Sequence, residues 1–171
     1  MNIRYATMAD LDDIASVESV CFPVLEAATK EEFEKRIKYF GNHFWLMFDG
    51  GKLIAFVDGF VTDEANLTDE MYENASMHNE NGAWQMIFGV NTLPKYRRCG
   101  YAKELIKKAI LDAREQNRRG LVLTCKESLV PYYSKFGFID EGITDKSTHG
   151  NVLWHQMRLD FELRNNGVKQ I

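Results

Sequence analysis

A short basic loop that runs into an amphipathic helix constrains this chain more than any other stretch. Residues 90–113 read VNTLPKYRRCGYAKELIKKAILDA. The loop is Lys95-Tyr96-Arg97-Arg98-Cys99-Gly100-Tyr101-Ala102. After it, Ala102, Leu105, Ile106, Ala109, Ile110 and Ala113 recur at helical spacing and define one apolar face. Pro94 stops the preceding strand, because proline cannot donate to a ladder. Gly100 stands where the chain turns into the helix and leaves the backbone open to close approach. The first amides of a helix lack intrahelical acceptors and carry the positive end of the dipole. From Lys95 to Lys108 there are six basic residues against one acid, Glu104. Two readings fit this stretch: an anion site suited to a phosphate, or an ordinary helix with a solvated basic face. There is no Gly-Lys-Ser/Thr and no G-x-G-x-x-G, which excludes a P-loop and a dinucleotide fingerprint.

The rest of the chain sets the frame for that site. At 171 residues, 45% apolar and 27% charged, it suits one α/β domain over 1–171 with a sizeable core. A net charge of −4 argues against a nucleic-acid binder. The charge is uneven: residues 63–81 hold Asp63, Glu64, Asp69, Glu70, Glu73 and Glu80 and no Lys or Arg. That stretch is either the cation-binding side of a bisubstrate protein or a solvated loop. Three widely spaced cysteines, Cys21, Cys99 and Cys125, show no zinc spacing, so no metal is expected. They point to a reduced, cytoplasmic protein. No apolar run reaches membrane-span length, so no membrane partner is expected.

In chain order the pattern reads β-α-α-β-β-β-α-β-α-β-β. Residues 2–7 form a first strand, and Leu11, Ile14, Ala15 and Val17 mark a helix. Pro23 breaks the periodicity. Thr29 and Glu32 have the spacing of a capping box for a second helix carrying Phe33, Ile37 and Phe40. Strands at 43–48 and 52–61 flank the turn Asp49-Gly50-Gly51. Residues 63–82 read as a long surface loop with one helical turn near 68–72, and 83–91 as one apolar strand. Gly120 is expected to end the central helix region. Residues 121–125 form a buried strand parallel to the one before the helix. A helix over 130–136 has Pro131 in its first turn, strands follow at 138–143 and 152–159, and the tail after Arg164 frays.

Arg97-x-x-Gly100-x-Ala102, opening a helix, resembles the acetyl-CoA motif of the GNAT superfamily of N-acetyltransferases. Tyr133-Ser-Lys-Phe-Gly-Phe138 resembles that superfamily's Tyr-x-x-x-Gly-Phe segment. The stretch from Leu123 to Phe138, with residues 52–59, 67–70, 21–26, His149-Gly150 and Trp154, is similar to the arylalkylamine (serotonin-type) branch. The resemblance implies a GNAT-like α/β mixed sheet with a central β-α-β crossover and acetyl-CoA as co-substrate. It places the CoA pyrophosphate on the loop of Arg97, Arg98, Cys99, Gly100, Tyr101, Ala102 and Lys103, with backbone amides from Arg98 onward. It places the pantetheine arm along the backbone of Val90 and Thr92. It makes Tyr133 the general acid that protonates the departing CoA thiolate; on position alone Tyr133 is a helix aromatic beside Tyr132. Phe22, Pro23 and Leu25 match the branch's substrate-side loop, or else pack helix to helix. Cys99 and Cys125 read as packing or backbone-limited positions, with no nucleophilic role.

The resemblance also has a gap. Animal arylalkylamine enzymes carry two histidines on the strand before the cofactor loop, and the matching positions here are Met86 and Phe88. Neither takes a proton. The base is then a water chain, one of Glu26, His78, His149 or His155, or desolvation of the amine itself. The expected activity is direct attack of a small primary amine, of arylalkylamine or polyamine type, on acetyl-CoA. The alternatives are an amino-acid, peptide or protein amine as acceptor, or a catalytically silent acyl-CoA-binding module. The family resemblance also admits a homodimer.

Overall fold

The structure is a computed structural model and describes residues 1–163; the polar tail beyond, and the side chain of His149, lie outside the described residues. Nine strands and five helices of four residues or more alternate along it. They are β1 (Asn2–Tyr5), α1 (Leu11–Cys21), α2 (Lys30–Phe40), β2 (Phe44–Asp49), β3 (Lys52–Asp58), β4 (Val61–Thr62) and α3 (Asp69–Glu73). There follow β5 (Trp84–Ile87), β6 (Gly89–Thr92), α4 (Tyr101–Glu115), β7 (Gly120–Cys125), α5 (Val130–Ser134), β8 (Ile139–Ile143) and β9 (His155–Asp160).

The strands form two sheets, ordered β1-β2-β3-β6 and β4-β5-β7-β9-β8. Among the described residues only β5 and β7 pair in parallel, across the α4 crossover, as the short apolar run at 121–125 requires. The apolar stretch 83–91, read from sequence as one strand, divides between the sheets at Phe88. Phe88 N–H donates to the Asp58 carbonyl at 2.7 Å, while Gly89 is the register partner of Asp58. Two residues therefore oppose one, which is a β-bulge, and the strand bends there. The partner strand 52–61 breaks at the same level, into β3 and β4.

Strand alternation sends side chains to two cores. On the α4 side lie Trp45, Met47, Ala55, Val57, Ile87, Leu121 and Leu123 with Leu105, Ile106 and Ala109 of the helix. On the other side Phe44, Leu46, Phe56, Trp84, Met86 and Val122 pack against Ile14, Val17, Phe33, Ile37 and Phe40 of α1 and α2. The capping box of α2 forms as its spacing predicts: Thr29 Oγ1 accepts from Glu32 N–H at 3.2 Å, and Glu32 Oε2 accepts from Thr29 N–H at 3.1 Å.

Gly120 does not end the central helix. Asn117, with φ at 60°, turns the chain just past α4, and Gly120 is already the first residue of β7. A glycine is needed there for a different reason: a Cβ would lie 1.9 Å from the Leu159 carbonyl oxygen of the neighbouring strand. Overpacking against rigid backbone cannot be relieved by a rotamer change. Gly120→Ala is therefore expected to lower the unfolding free energy by about 3 kcal/mol, read as a shift in the urea midpoint at unchanged slope.

Candidate active site

The bulge opens a wedge. β5 and β7 stay in register from Trp84 opposite Gly120 to Ile87 opposite Leu123, and then part. Beyond that point β6 pairs with β3, and β7 continues to Cys125 against β9. In the β3–β6 ladder Leu93 N–H reaches the Ile54 carbonyl. Alternation then aims the backbone groups of Val90 and Thr92 at the open side. A cavity of about 530 Å³ fills the wedge. Ile87, Phe88, Gly89 and Val90 line one wall, and Leu123, Thr124 and Cys125 the other.

Tyr133 of α5 lines this cavity too, at 6% exposure. Burial first, then Cys125 and Tyr132, push its hydroxyl pKa well above the ordinary tyrosine value. The phenol therefore stays protonated throughout the working range of an enzyme. Its ring is held edge-on by Tyr132 at 5.1 Å and Phe138 at 6.2 Å. Cys125, also in the wall, is a buried thiol pushed up to about 11 by burial and then by Asp140. It packs on the Met157 sulfur at 3.5 Å and is no nucleophile.

Among the other residues singled out from sequence, Phe22, Pro23 and Leu25 line the same cavity on the α1–α2 loop, with Leu25 71% exposed. The basic loop does not line it. It continues outward from the end of β6 through a 3₁₀ turn over Pro94–Tyr96. Gly100 is left-handed, with φ at 86°, and caps α4; Arg98 is left-handed as well. Glu104 N–H makes the first bond of the helix, to the Gly100 carbonyl. The amides before it, through Lys103, have no intrahelical acceptor. Arg97 Nε and the Cys21 thiol both donate to the Thr92 carbonyl, at 3.0 and 3.3 Å, which ties the loop to the end of β6 and to α1. Cys99 is exposed, so the packing reading fails for it; its thiol only touches the Arg97 carbonyl at 3.4 Å.

One side of the cavity is acidic. Glu18, Glu26, Glu32, Asp69 and Glu73 line it against Arg36 and Lys126. Lys126 is committed to Glu26 at 2.9 Å. Arg36 donates to Asp58 at 3.1 Å and to the Tyr72 carbonyl at 2.9 Å. Asp69, from the acidic stretch, accepts from Thr148 N–H and Oγ1 and from Ser147 Oγ, strapping the loop before β9 onto α3.

Sequence reasoning missed Glu18. It is 5% exposed, its Oε2 accepts from Ala28 N–H at 2.9 Å, and its Oε1 has no partner at full hydrogen-bond geometry. Burial, then the charge of Asp58, push its pKa up to about 7. Asp58, fully buried, is pushed up to about 6 by burial, against the pull of Arg36. A signal was available: Ile14, Val17, Glu18 and Cys21 follow helical spacing, which sets a carboxylate on an apolar stripe.

The histidines divide. Met86 is fully buried and Phe88 lines the cavity, so the positions matching the histidine pair of animal arylalkylamine enzymes hold no base. His155 pairs with Asp140 at 3.1 Å, and neither lines the cavity. His78 lies with His43 and Glu80, whose ligand-type atoms come within 4.8 Å of one another. This triad is a hydrogen-bond relay. His78 Nδ1 accepts from Val61 N–H at 3.1 Å, which leaves its proton on Nε2, facing Glu80 Oε2 at 2.8 Å. That nitrogen has no lone pair to offer a metal.

A wedge between diverging strands, a glycine-capped helix after it and a buried tyrosine on the opposite wall define an acyl-CoA transferase type of site. The model of the acetyltransferase (GNAT) family matches residues 11–138, and the chain belongs to that family. Serotonin N-acetyltransferase of Mesocricetus auratus is 31% identical over 93 residues, which are 53% of this chain and 43% of that protein. The chain thus matches less than half the length of that curated relative. Among solved structures, the loading GNATL domain of CurA from Lyngbya majuscula aligns with a TM-score of 0.81 at 16% identity, over 95% of this chain and 98% of that one. PaiA N-acetyltransferase from Thermoplasma acidophilum, in complex with coenzyme A, aligns with a TM-score of 0.68 at 14% identity, over 94% and 98%. These two likenesses concern the fold. No helix among the described residues is long and apolar enough to cross a membrane.

The raised pKa of Glu18 has a consequence for stability. The folded chain holds this proton up to about pH 7, whereas a free glutamate releases it near 4.5. The folded state thus binds more protons in that window, and its stability falls as pH rises through it. Relative to Glu18→Gln, wild type is expected to lose about 3 kcal/mol of unfolding free energy between pH 4 and pH 8, measured by urea denaturation at a series of pH values.

Proposed function

We propose that the protein is an acetyl-CoA-dependent N-acetyltransferase whose acceptor is a small primary amine of arylalkylamine or polyamine type. One observation carries the reading: a single cavity joins the open backbone edge at Val90, the Tyr133 phenol and an acid-lined acceptor wall. The serotonin N-acetyltransferase match supports the amine class. Phe22, Tyr72 and Phe88 add aromatic surface suited to an apolar or cationic body.

In this reading the pantetheine arm lies along Val90 and Thr92, and the pyrophosphate sits on the amides and side chains of Arg97, Arg98, Cys99, Gly100, Tyr101, Ala102 and Lys103. The net acidic acceptor wall draws in an ammonium, and Phe22, Pro23 and Leu25 hold the rest of the amine. The neutral amine attacks the thioester carbonyl, the C–N bond forms and the C–S bond breaks. Tyr133 gives its proton to the departing sulfur. A phenol held above its ordinary pKa is a weak acid, but a thiolate with a pKa of roughly 8.5 in water becomes far more basic in the same buried setting. Rate then comes from holding the amine against the thioester as much as from proton transfer.

The test is CoA release from acetyl-CoA with phenethylamine, tryptamine, spermidine, lysine and a short peptide, for wild type and Tyr133→Phe. Turnover of one small-amine class, slowed on the order of tenfold or more in Tyr133→Phe, is the expected result. Turnover confined to the peptide replaces the acceptor class. Acetyl-CoA binding with no turnover of any amine identifies a silent acyl-CoA-binding module.

A further inference from the structure

We propose that Glu18 accepts the proton that the attacking amine must shed, held by Ala28 N–H and Asn91 and flanked by Asp58 behind the Gly89 face of the bulge. This rests on the amine acetyltransferase reading above and names the base which that reading lacks.

The geometry begins with the bulge. A Cβ on Gly89 would sit 3.0 Å from Asp58 Oδ1, 3.1 Å from Asn91 Nδ2 and 3.7 Å from Glu18 Oε1. Three polar side chains from α1, β3 and β6 thus converge on one face of one residue, and Gly89 itself lines the cavity. All three are nine-tenths buried or more. Each of these atoms lacks a partner at full hydrogen-bond geometry, as do Asn91 Oδ1 and Arg36 Nε nearby. Asn91 braces the Glu18 carboxylate from behind, and Glu18 lines the cavity, where a water or an ammonium can meet it.

Glu18 is the member of the cluster that also lines the cavity as an acid; Asp58 and Asn91 stand behind it. The other lining carboxylates have defined work. Glu26 pairs with Lys126, Glu32 caps Thr29, and Asp69 holds Ser147 and Thr148. Glu73 is exposed. The groups that face Glu18 are Asp58 from β3, Arg36 from α2, Asn91 from β6 and the Cys21 thiol of its own helix. Asp58 and burial raise its basicity, while Arg36, Asn91 and Ala28 N–H restrain it, which leaves the group poised near neutrality.

The protons balance. The ammonium loses two on becoming an amide. The first passes to Glu18, directly or across one water, and from there to solvent, so the amine attacks neutral. The second leaves the nitrogen as the C–S bond breaks and restores Tyr133 after that residue has protonated the sulfur. No oxidant, metal or covalent enzyme intermediate is needed.

The decisive measurement is the pH profile of kcat with an amine that turns over. Wild type is expected to lose kcat tenfold per unit below about pH 7. Glu18→Gln keeps an acceptor for Ala28 N–H but has no basicity. It should lose on the order of 100-fold at pH 7.5 and no longer show that limb, with KM for acetyl-CoA unchanged. A limb that survives in Glu18→Gln overturns the proposal. If Glu18→Gln does not fold, Asn91→Leu serves instead: removing an amide that holds the carboxylate down should move the limb to higher pH, and an unmoved limb overturns the proposal. A readout without any amine separates this from failure of the acetyltransferase reading. With ¹³C-labelled glutamate carboxyls, one signal should titrate near pH 7 and be absent from Glu18→Gln. If no glutamate titrates there, or the signal persists in the variant, Glu18 is not the base, whichever substrate the protein takes.

Discussion

The structure depends on one strand serving two sheets. A strand edge can pair with only one neighbour at a time, and the segment from Trp84 to Thr92 changes partner half-way along. Its first half lies between β4 and β7, and its second half leaves β7 and continues along β3. The extra residue at Phe88–Gly89 makes that change of direction possible. The wedge, the free backbone edge at Val90 and the convergence of Asp58, Asn91 and Glu18 on Gly89 all follow from it. A flat sheet of the same strands would close the cavity and bury the polar atoms with nothing to face.

The second organising feature is the burial of charge beneath that bulge. Arg36 and Asp58 are both almost fully buried and paired at 3.1 Å, and Arg36 lies over the rings of Phe33 and Phe88 at 5.2 and 5.1 Å. A pair in this setting adds little net stability once desolvation is set against attraction. What it supplies is position. Arg36 reaches from α2 to β3 and to the Tyr72 carbonyl within α3, so one guanidinium fixes three elements around the acidic side of the cavity. Glu18 does the same work from α1 through Ala28 N–H, which holds the α1–α2 loop against the cavity.

Local chemistry was legible in the sequence to the extent that single residues dictate it. The capping box at Thr29 and Glu32, the turn at 49–51, the parallel pairing of 121–125 and the glycine at the head of α4 depend on neighbours in the chain, and each is found. The bulge was not legible, because apolar residues from Ala83 to Val90 read as one strand whether it is straight or bent. Only the paired break at Gly59 across the sheet reveals the bend. Gly120 was misread for a similar reason: a glycine after a helix suggests a cap, while the approach of Leu159 from 39 positions away is invisible locally. The site was half legible. Motif positions single out Tyr133, which the structure places in the cavity wall, and the basic loop, which does not line the cavity; Glu18 matches no motif. Its clue was a charge on the apolar stripe of α1, repeated by Arg36 between Phe33, Ile37 and Phe40 on α2. Two consecutive helices with one opposite charge each on their buried faces indicate a polar centre between them and the sheet.

The two cores have a consequence for how such a protein changes over time. The helix that follows the basic loop rests on one core, and α1 and α2, which carry the acidic wall, rest on the other, rich in phenylalanine. Replacements among Phe33, Phe40, Phe44, Phe56 and Phe60 re-seat the acidic wall of the cavity while the helix after the basic loop keeps its own packing. The sheet between them acts as a partition. Descendants of this chain can therefore change what the cavity admits by repacking one compartment, with the other half inherited intact.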